Sequence, residues 1–253
     1  MNKSRFTATN LVAMAICAWH GPSIANQDQD EVWSGAAELG VIVTSGNTES
    51  TSVKGGLEVE QALENWNNEY QFDVLFKEDQ VTDDTTGEEE TEKTAEKYFL
   101  SAKGNRRLED DKSKLFLFGS HTDDKFAGVS EYTIIAAGYG RRLLETTHTS
   151  LDADIGPGYA FGEQSDGEEI EDVILRASAN FRWDISENAK FVQKISTEAG
   201  ADNTRTIAET SLTTQINGSL SMKLGLTITN NSEVPDDTEK TDTESTVTLV
   251  YSF

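Results

Sequence analysis

The chain has 253 residues, with 45 acidic and 21 basic side chains and a formal net charge of -24 at pH 7. This length suits one large all-β domain. The acidic excess argues against nucleic acid as a partner, because nucleic acid is bound by basic surfaces that displace its counterions. Apolar residues make up 36% of the chain. They alternate with polar residues along much of it, which favours half-exposed strands over disorder.

The first 25 residues have the pattern of a secretory signal peptide. Two basic residues precede an apolar run from Leu11 to Trp19, and Ser23-Ile24-Ala25 matches a small-x-small cleavage site. The run is much shorter than the roughly 20 residues that cross a bilayer. We therefore predict a cleaved segment over 1–25 and one domain over 26–253. Cys17 lies in the segment removed, so the mature domain is expected to lack disulfides and thiolate metal sites.

Beyond residue 31, apolar and polar residues alternate with a period of two, the pattern of strands with one apolar face. The alternation is clearest between Val173 and Ile185, and it recurs over 151–161, 220–228 and 247–253. In chain order we predict strands over residues 32–45, 51–63, 67–77, 95–105, 114–123, 131–142, 149–161, 172–185, 190–200, 204–216, 219–230 and 243–253.

Three of these predicted strands, 95–105, 114–123 and 190–200, have two faces that differ little in polarity. An error of one hairpin would give ten or fourteen strands. The clearest segments exceed the about 5–6 residues of an average soluble strand and match the about 9–11 of a tilted membrane strand. Lipid offers no hydrogen bonds to an open sheet edge, so such strands must close on themselves. The sequence therefore predicts an all-β fold, an antiparallel transmembrane β-barrel of about 12 strands.

An even strand number places both ends of the domain on the periplasmic side. The long connections 78–94, 162–171 and 231–242 then fall outside the cell, as barrels prefer. We predict a two-residue hairpin turn at Asn217-Gly218, because both residues tolerate positive φ. Gly156-Pro157-Gly158 predicts a bulge or bend, because proline has no ladder donor.

Aromatic residues fall near both ends of the predicted outward faces, as interfacial girdles do. The inner set is Trp33, Tyr70, Trp183, Phe191, Tyr251 and Phe253, and the outer set is Phe76, Tyr98, Tyr132, Tyr159 and Phe161.

A motif opens the predicted domain: Trp33-Ser34-Gly35, then Leu39-Gly40, then Thr44-Ser45-Gly46-Asn47-Thr48-Glu49. Together with Gly156-Pro157-Gly158-Tyr159, it resembles a bacterial family of a domain of unknown function, whose members are described as salt-induced outer membrane proteins. The resemblance implies a barrel fold and an outer membrane location, and it implies no catalytic residue.

The end of the sequence, Val247-x-Leu249-x-Tyr251-x-Phe253, is similar to the general C-terminal signal of outer membrane proteins. That similarity makes Leu249, Tyr251 and Phe253 the predicted assembly signal, read by the barrel-assembly machinery. The signal is shared by many barrel families, so it bears on location and not on activity.

The polar faces carry charges of both signs, which predicts a charged lumen. The candidate lumen charges are Asp152, Asp154, Arg176, Arg182 and Lys223, and Arg141 is predicted to join them. Such charges could line a narrow channel for small solutes or ions, linked to salt or envelope adaptation. They could equally form a closed network in a non-conducting structural or surface-binding barrel. Both alternatives stay open at this point.

The predicted outer connections hold acidic clusters, among them Glu88-Glu89-Glu90 and Asp236-Asp237. Carboxylates are ligands suited to Ca²⁺ or Mg²⁺, although the spacing is not that of a dedicated calcium loop. A solvated, self-repelling surface and loose divalent cation binding beside lipopolysaccharide are the two interpretations. The predicted partners are the lipid bilayer and lipopolysaccharide, and no cofactor is expected.

Only His121 and His148 remain in the predicted mature chain. His121 falls at the predicted lipid–water boundary, which resembles the position of the histidine in outer membrane phospholipases. Ser120 is predicted on the opposite face, and a serine hydrolase needs its base within hydrogen-bond reach of the nucleophile. We therefore expect no enzyme activity.

Overall fold

The computed structural model describes residues 32–44, 50–82, 89–110, 112–235 and 239–253. The predicted signal peptide, residues 26–31, residues 45–49 of the opening motif, residue 111, and the acidic segments 83–88 and 236–238 lie outside these residues. Within them every regular element is a strand. No helix in the described part of the chain is long and apolar enough to cross a membrane.

The strands follow one another in chain order as β1 (Trp33–Thr44), β2 (Ser50–Ala62), β3 (Trp66–Thr82), β4 (Glu89–Arg107), β5 (Ser113–Asp124), β6 (Val129–Glu145), β7 (Thr149–Gln164), β8 (Glu169–Ser186), β9 (Ala189–Ala199), β10 (Thr204–Gln215), β11 (Leu220–Asn231) and β12 (Thr241–Ser252). Each strand pairs with its chain neighbours, and β1 also pairs with β12, so the sheet is a closed barrel. All pairings are antiparallel. The predicted fold class is confirmed.

Residue parity decides which side chains face the lumen. In β8, Val173 is 72% exposed on the outside, whereas Ile174 and Arg176 are only 3% and 8% exposed inside the barrel. Because successive side chains of a strand point to opposite faces, the apolar row covers the outer surface. A closed sheet pairs its strands all the way round, which a strand in lipid requires.

The barrel has two distinct ends, named here by what they carry. The terminal end holds Trp33 and Phe253 together with the connections 63–65, 108–112, 146–148, 187–188 and 216–219. The loop end holds the connections 125–128, 165–168 and 200–203, and the strand ends Thr44, Ser50, Thr82, Glu89, Asn231 and Thr241.

The ladder between β6 and β7 is interrupted at Pro157. Pairing runs to Ala136 with Gly158 and resumes, in the same register, at Tyr139 with Ile155. Proline has no backbone N–H to donate, so the ladder skips this position. The predicted bulge is therefore absent here, and the strands stay aligned across the gap.

The β10–β11 connection differs from the predicted two-residue turn. It spans 216–219, and the Asn217 side-chain oxygen accepts hydrogen bonds from the N–H groups of Ser219 (3.2 Å) and Leu220 (3.0 Å). Among the glycines that the structure describes, only Gly167 has a positive φ (89°). The predicted two-residue turn is wrong: the connection is wider, the Asn217 side chain closes it, and Gly218 does not have a positive φ.

The seam between β1 and β12 is short. Ala36 to Leu39 pair with Leu249 to Ser252, and the backbones of Gly35 and Phe253 exchange two hydrogen bonds of 2.9 Å each. A Cβ built on Gly35 would lie 2.7 Å from the Phe253 ring. Glycine at this position therefore makes room for the ring, and Phe253 extends the closure of the sheet by one residue.

Candidate functional site

Two cavities occupy the lumen. The larger, of about 1180 Å³, reaches the terminal end, where the turn residues His148, Glu187 and Asn188 line it. The smaller, of about 480 Å³, lies at the loop end beside Phe126 and Ala127. Among the described residues, none lines both cavities.

A layer of ion pairs lies between the two cavities. Lys223 of β11 contacts Glu38 of β1, and both line the larger cavity. Lys54 of β2 pairs with Glu244 of β12 at 2.6 Å, and both line the smaller one. Asp73 of β3 lies at the same level of the barrel as Glu38, because both are ladder partners of Gly56 on the intervening strand β2. We call Glu38, Lys54, Asp73, Lys223 and Glu244 the central layer.

A buried arginine cluster fills another part of the lumen. The Arg176 guanidinium lies 3.3 Å from the Glu198 carboxylate and 4.1 Å from the centre of the Phe118 ring. Arg205 stacks over Tyr132 at 4.6 Å. Both arginines are held by ring faces as well as by charge. Beneath them lies an apolar patch formed by Phe116, Val129, Tyr132, Ile134, Ala136, Ala160 and Ile174.

Asp154 links the cluster to neighbouring strands. It accepts a hydrogen bond from Lys103 at 2.6 Å and lies 3.3 Å from the Lys114 ammonium. Asp152 shares its face of β7 and accepts hydrogen bonds from Arg142 at 3.1 and 3.3 Å. Charge in this part of the lumen is therefore largely paired.

Opposite charges line facing walls of the larger cavity. The acidic wall consists of Glu38, Glu58, Glu60 and Glu69 on β1 to β3, and the basic wall of Arg182, Lys190 and Lys194 on β8 and β9. The basic charges that act on Glu58 are those of the basic wall together with Lys223 of β11. Acidic side chains also lie on this side of the cavity, and two of them, Asp184 and Glu209, are the cross-strand partners of Lys190 and Lys194.

Two ionisable side chains in the turns have shifted pKa values. Hydrogen bonds from the Ser113 hydroxyl (2.7 Å) and backbone N–H (2.8 Å) lower the pKa of Asp110 at the terminal end. A hydrogen bond to Glu96 (2.9 Å) raises the pKa of Lys125 at the loop end. Both contacts tie a connection to a neighbouring strand.

The structure places most of the predicted lumen charges around the larger cavity. Asp154, Arg176, Arg182 and Lys223 line it directly, and Asp152 lies on the same face of β7. Arg141 does not line this cavity. It is exposed on the outward face of β6, where Ser113 and Ala153 are its ladder partners.

Outward aromatic pairs lie near both ends of the barrel. The ring centroids are 6.4 Å apart in Trp33–Tyr70 and Tyr251–Phe253 at the terminal end, and 5.6 and 6.3 Å apart in Phe76–Tyr98 and Tyr159–Phe161 towards the loop end. Tyr132, predicted to belong with the second group, is instead 6% exposed inside the lumen. Its contact with Arg205 is a lumen feature that the sequence analysis missed.

The two histidines have separate surroundings. His121 lies on the outward face, where its Nδ1 is 2.8 Å from the Thr133 hydroxyl. Ser120 lines the larger cavity, on the opposite face of β5. In the described part of the chain, no group of three or more His, Cys, Asp and Glu side chains is arranged to hold a metal ion.

Comparisons with known proteins identify the family of the chain. The family described as "Protein of unknown function, DUF481" matches residues 37–253. The uncharacterized protein YdiY of Escherichia coli (strain K12) is 32% identical over 165 residues, which are 64% of this chain, and the chain spans 64% of that relative's length. The predicted resemblance to a family of unknown function is confirmed.

Two solved structures align with most of the chain. An outer membrane channel from Pseudomonas putida F1 aligns with a TM-score of 0.50 and 12% identity, covering 92% of this chain and 99% of that one. The NanC porin aligns with a TM-score of 0.46 and 8% identity, covering 86% and 97%. At such identities the first likeness shows the barrel fold alone.

Proposed function

Because the chain belongs to the DUF481 family of unknown function over residues 37–253, we propose its function from its own lumen: it is an outer membrane β-barrel that forms a narrow, charge-lined channel for small solutes or ions. The terminal end faces the periplasm, and the loop end with its acidic connections faces outside and meets lipopolysaccharide. Secretion through the predicted signal peptide and a role in envelope adaptation to salt are part of this proposal.

The outer surface supports the membrane location. Large apolar side chains such as Leu117, Val173 and Leu143 are at least 60% exposed on the outward face. A soluble protein rarely leaves an apolar surface of this extent in water. Outward aromatic residues near both ends suit the two lipid–water boundaries.

The observation that supports the proposed channel is the presence of the two cavities. A small barrel is generally filled by its own side chains, whereas here about 1180 and 480 Å³ stay open on the two sides of the central layer. Lys54 and Lys223, which supply the basic charges of that layer, have flexible four-carbon stems. Movement of these two side chains would join the cavities into one path.

Single-channel recording of the refolded chain in a planar bilayer with KCl tests the proposal. We expect discrete conductance steps. Lys223→Met removes a positive charge beside Glu38 and Glu58, so the ratio of potassium to chloride permeability should rise about threefold or more. Lys112→Met, in a turn away from the cavities, should leave that ratio unchanged. Equal selectivity in all three proteins would contradict the assignment of the central layer.

The alternative is a non-conducting structural or surface-binding barrel. It is favoured by one observation, that none of the described residues lines both cavities. Folded protein that gives no conductance steps would support it and overturn the channel. In that case, removal of divalent cations with EDTA should lower the thermal stability of the barrel in lipopolysaccharide, because the acidic connections would bind them.

Phe253 provides a test of the predicted assembly signal, Leu249, Tyr251 and Phe253, whose side chains all face outward. We expect deletion of Phe253 to lower the amount of assembled protein in the outer membrane about tenfold, because both the signal and the bonds to Gly35 are lost. Phe253→Leu keeps the backbone bonds and should lower it less. Assembled protein is measured by heat-dependent migration in gels, and unchanged assembly of the deletion variant would refute the signal.

A further inference from the structure

The charges on the two walls of the larger cavity remain largely separated. Lys223 lies between the walls, where it contacts Glu38 directly and is 3.9 Å from Glu58. Among the described residues, Glu60, Arg182, Lys190 and Lys194 have no oppositely charged partner within 4.0 Å. These side chains therefore face the cavity without being neutralised by a direct ion pair.

The acidic and basic side chains are separated across the width of the lumen and not along the barrel axis. β2 and β8 stand on opposite sides of a closed sheet of twelve strands. Lys194 of β9 is influenced by Glu58 of β2 and Glu69 of β3 across the cavity, as well as by Glu209 on the adjacent β10. An electric field therefore runs from the basic wall to the acidic wall, perpendicular to the barrel axis.

Such a field treats different solutes differently. A simple anion is attracted by one wall and repelled by the other, and the same holds for a simple cation. A solute that carries both charges can turn so that each charge meets the wall of opposite sign. The field lowers the energy of that orientation without requiring a counterion.

We propose that the larger cavity selects small zwitterionic solutes, whose ammonium group lies against the acidic wall and whose carboxylate group lies against the basic wall. This inference rests on the proposed channel function. The carboxylate would meet Arg182 and Lys190 near the terminal end, and the ammonium group would meet Glu58 and Glu60. A cavity of about 1180 Å³ has room for such a solute together with water.

Uptake into vesicles that contain the full refolded chain tests the inference. The probes are γ-aminobutyrate as the zwitterion, choline as the cation and isethionate as the anion, each corrected for protein-free vesicles. We expect γ-aminobutyrate to enter about threefold or more faster than either singly charged probe. Conductance in KCl is recorded on the same preparation.

Neutral variants of each wall sharpen the test. Glu58→Gln with Glu60→Gln should remove the preference and favour isethionate, whereas Arg182→Gln with Lys190→Gln should remove it and favour choline. Lys112→Gln, outside the cavity, is the control, and the single variant Glu60→Gln replaces the first pair if that pair fails to fold. Conductance without a preference for γ-aminobutyrate overturns this inference alone. Folded protein without conductance overturns the channel and the inference together.

Discussion

Glu198→Gln is expected to lower the free energy of unfolding by about 3 kcal/mol, the usual cost of breaking a buried ion pair from one side. Glu198 is 2% exposed and pairs with Arg176, and its charge also acts on Arg205. Without that carboxylate, the two buried guanidinium groups lose the negative charge that they share. Urea unfolding of the refolded barrel in lipid vesicles measures the loss.

The matched control for this variant is Glu209→Gln. It changes the same atoms on the lumen side of β10, where Glu209 is half-buried and forms no ion pair within 4.0 Å among the described residues. The expected loss there is below about 1 kcal/mol, as for exposed charges. Equal losses in the two variants would show that Glu198 does not stabilise the arginine cluster.

Gly138→Ala is expected to destabilise the barrel by about 3 kcal/mol or to prevent its refolding. Gly138 faces Gly156 where the β6–β7 ladder is interrupted. A Cβ on Gly138 would lie 2.2 Å from the Ile155 carbonyl oxygen, and one on Gly156 would lie 2.1 Å from that of Ala137. The atoms in the way belong to the backbone, so rotation of a side chain cannot relieve the contact.

Gly119→Ala is the control for the glycine variant. Gly119 is also in a strand, but a Cβ there would find its nearest atom at 3.8 Å. Alanine at such a position should leave stability unchanged or raise it by about 0.5–1 kcal/mol, since glycine weakens a strand. Thermal unfolding monitored by heat-dependent gel migration compares the two variants. Similar melting temperatures would mean that β6 and β7 separate easily at the gap.

Much of the fold could be predicted because one physical pattern dominates the chain. In β8 the alternation of Val173 and Leu175 with Ile174 and Arg176 fixes which face is outside, and the charged Arg176 marks the inside. Where a strand carries a charge at regular intervals on one face, parity follows from the sequence alone. This holds for most of the twelve strands.

The prediction of which face of β6 points into the lumen was wrong for a single reason. Tyr132, Ile134 and Ala136 form an apolar row that the sequence cannot distinguish from a lipid-facing one, and that row packs inside the lumen. A shift of one residue inverts every side chain of a strand. The misplacement of Tyr132 and that of Arg141 are therefore the same error. In β5 both faces are apolar, which is why its faces looked alike.

The central layer and the arginine cluster could not be predicted, because they depend on contacts between residues far apart in the chain. Lys54 and Glu244 are separated by 190 residues, and Arg205 meets Tyr132 through the interior. Alternation predicted that such charges face inward. Which of them become partners is decided by barrel curvature and strand stagger, neither of which a local pattern contains.

The short seam between β1 and β12 has a consequence for the order of events during folding. The other strand pairs join chain neighbours and need only a tight connection, whereas the seam brings together residues such as Glu38 and Thr248, 210 positions apart. Loop-closure entropy opposes so distant a contact until the intervening hairpins have shortened the path. The β1–β12 seam, which is the shortest ladder of the barrel, is therefore expected to form last. The folding rate should then depend more on the few residues of this seam than on the long β3–β4 hairpin.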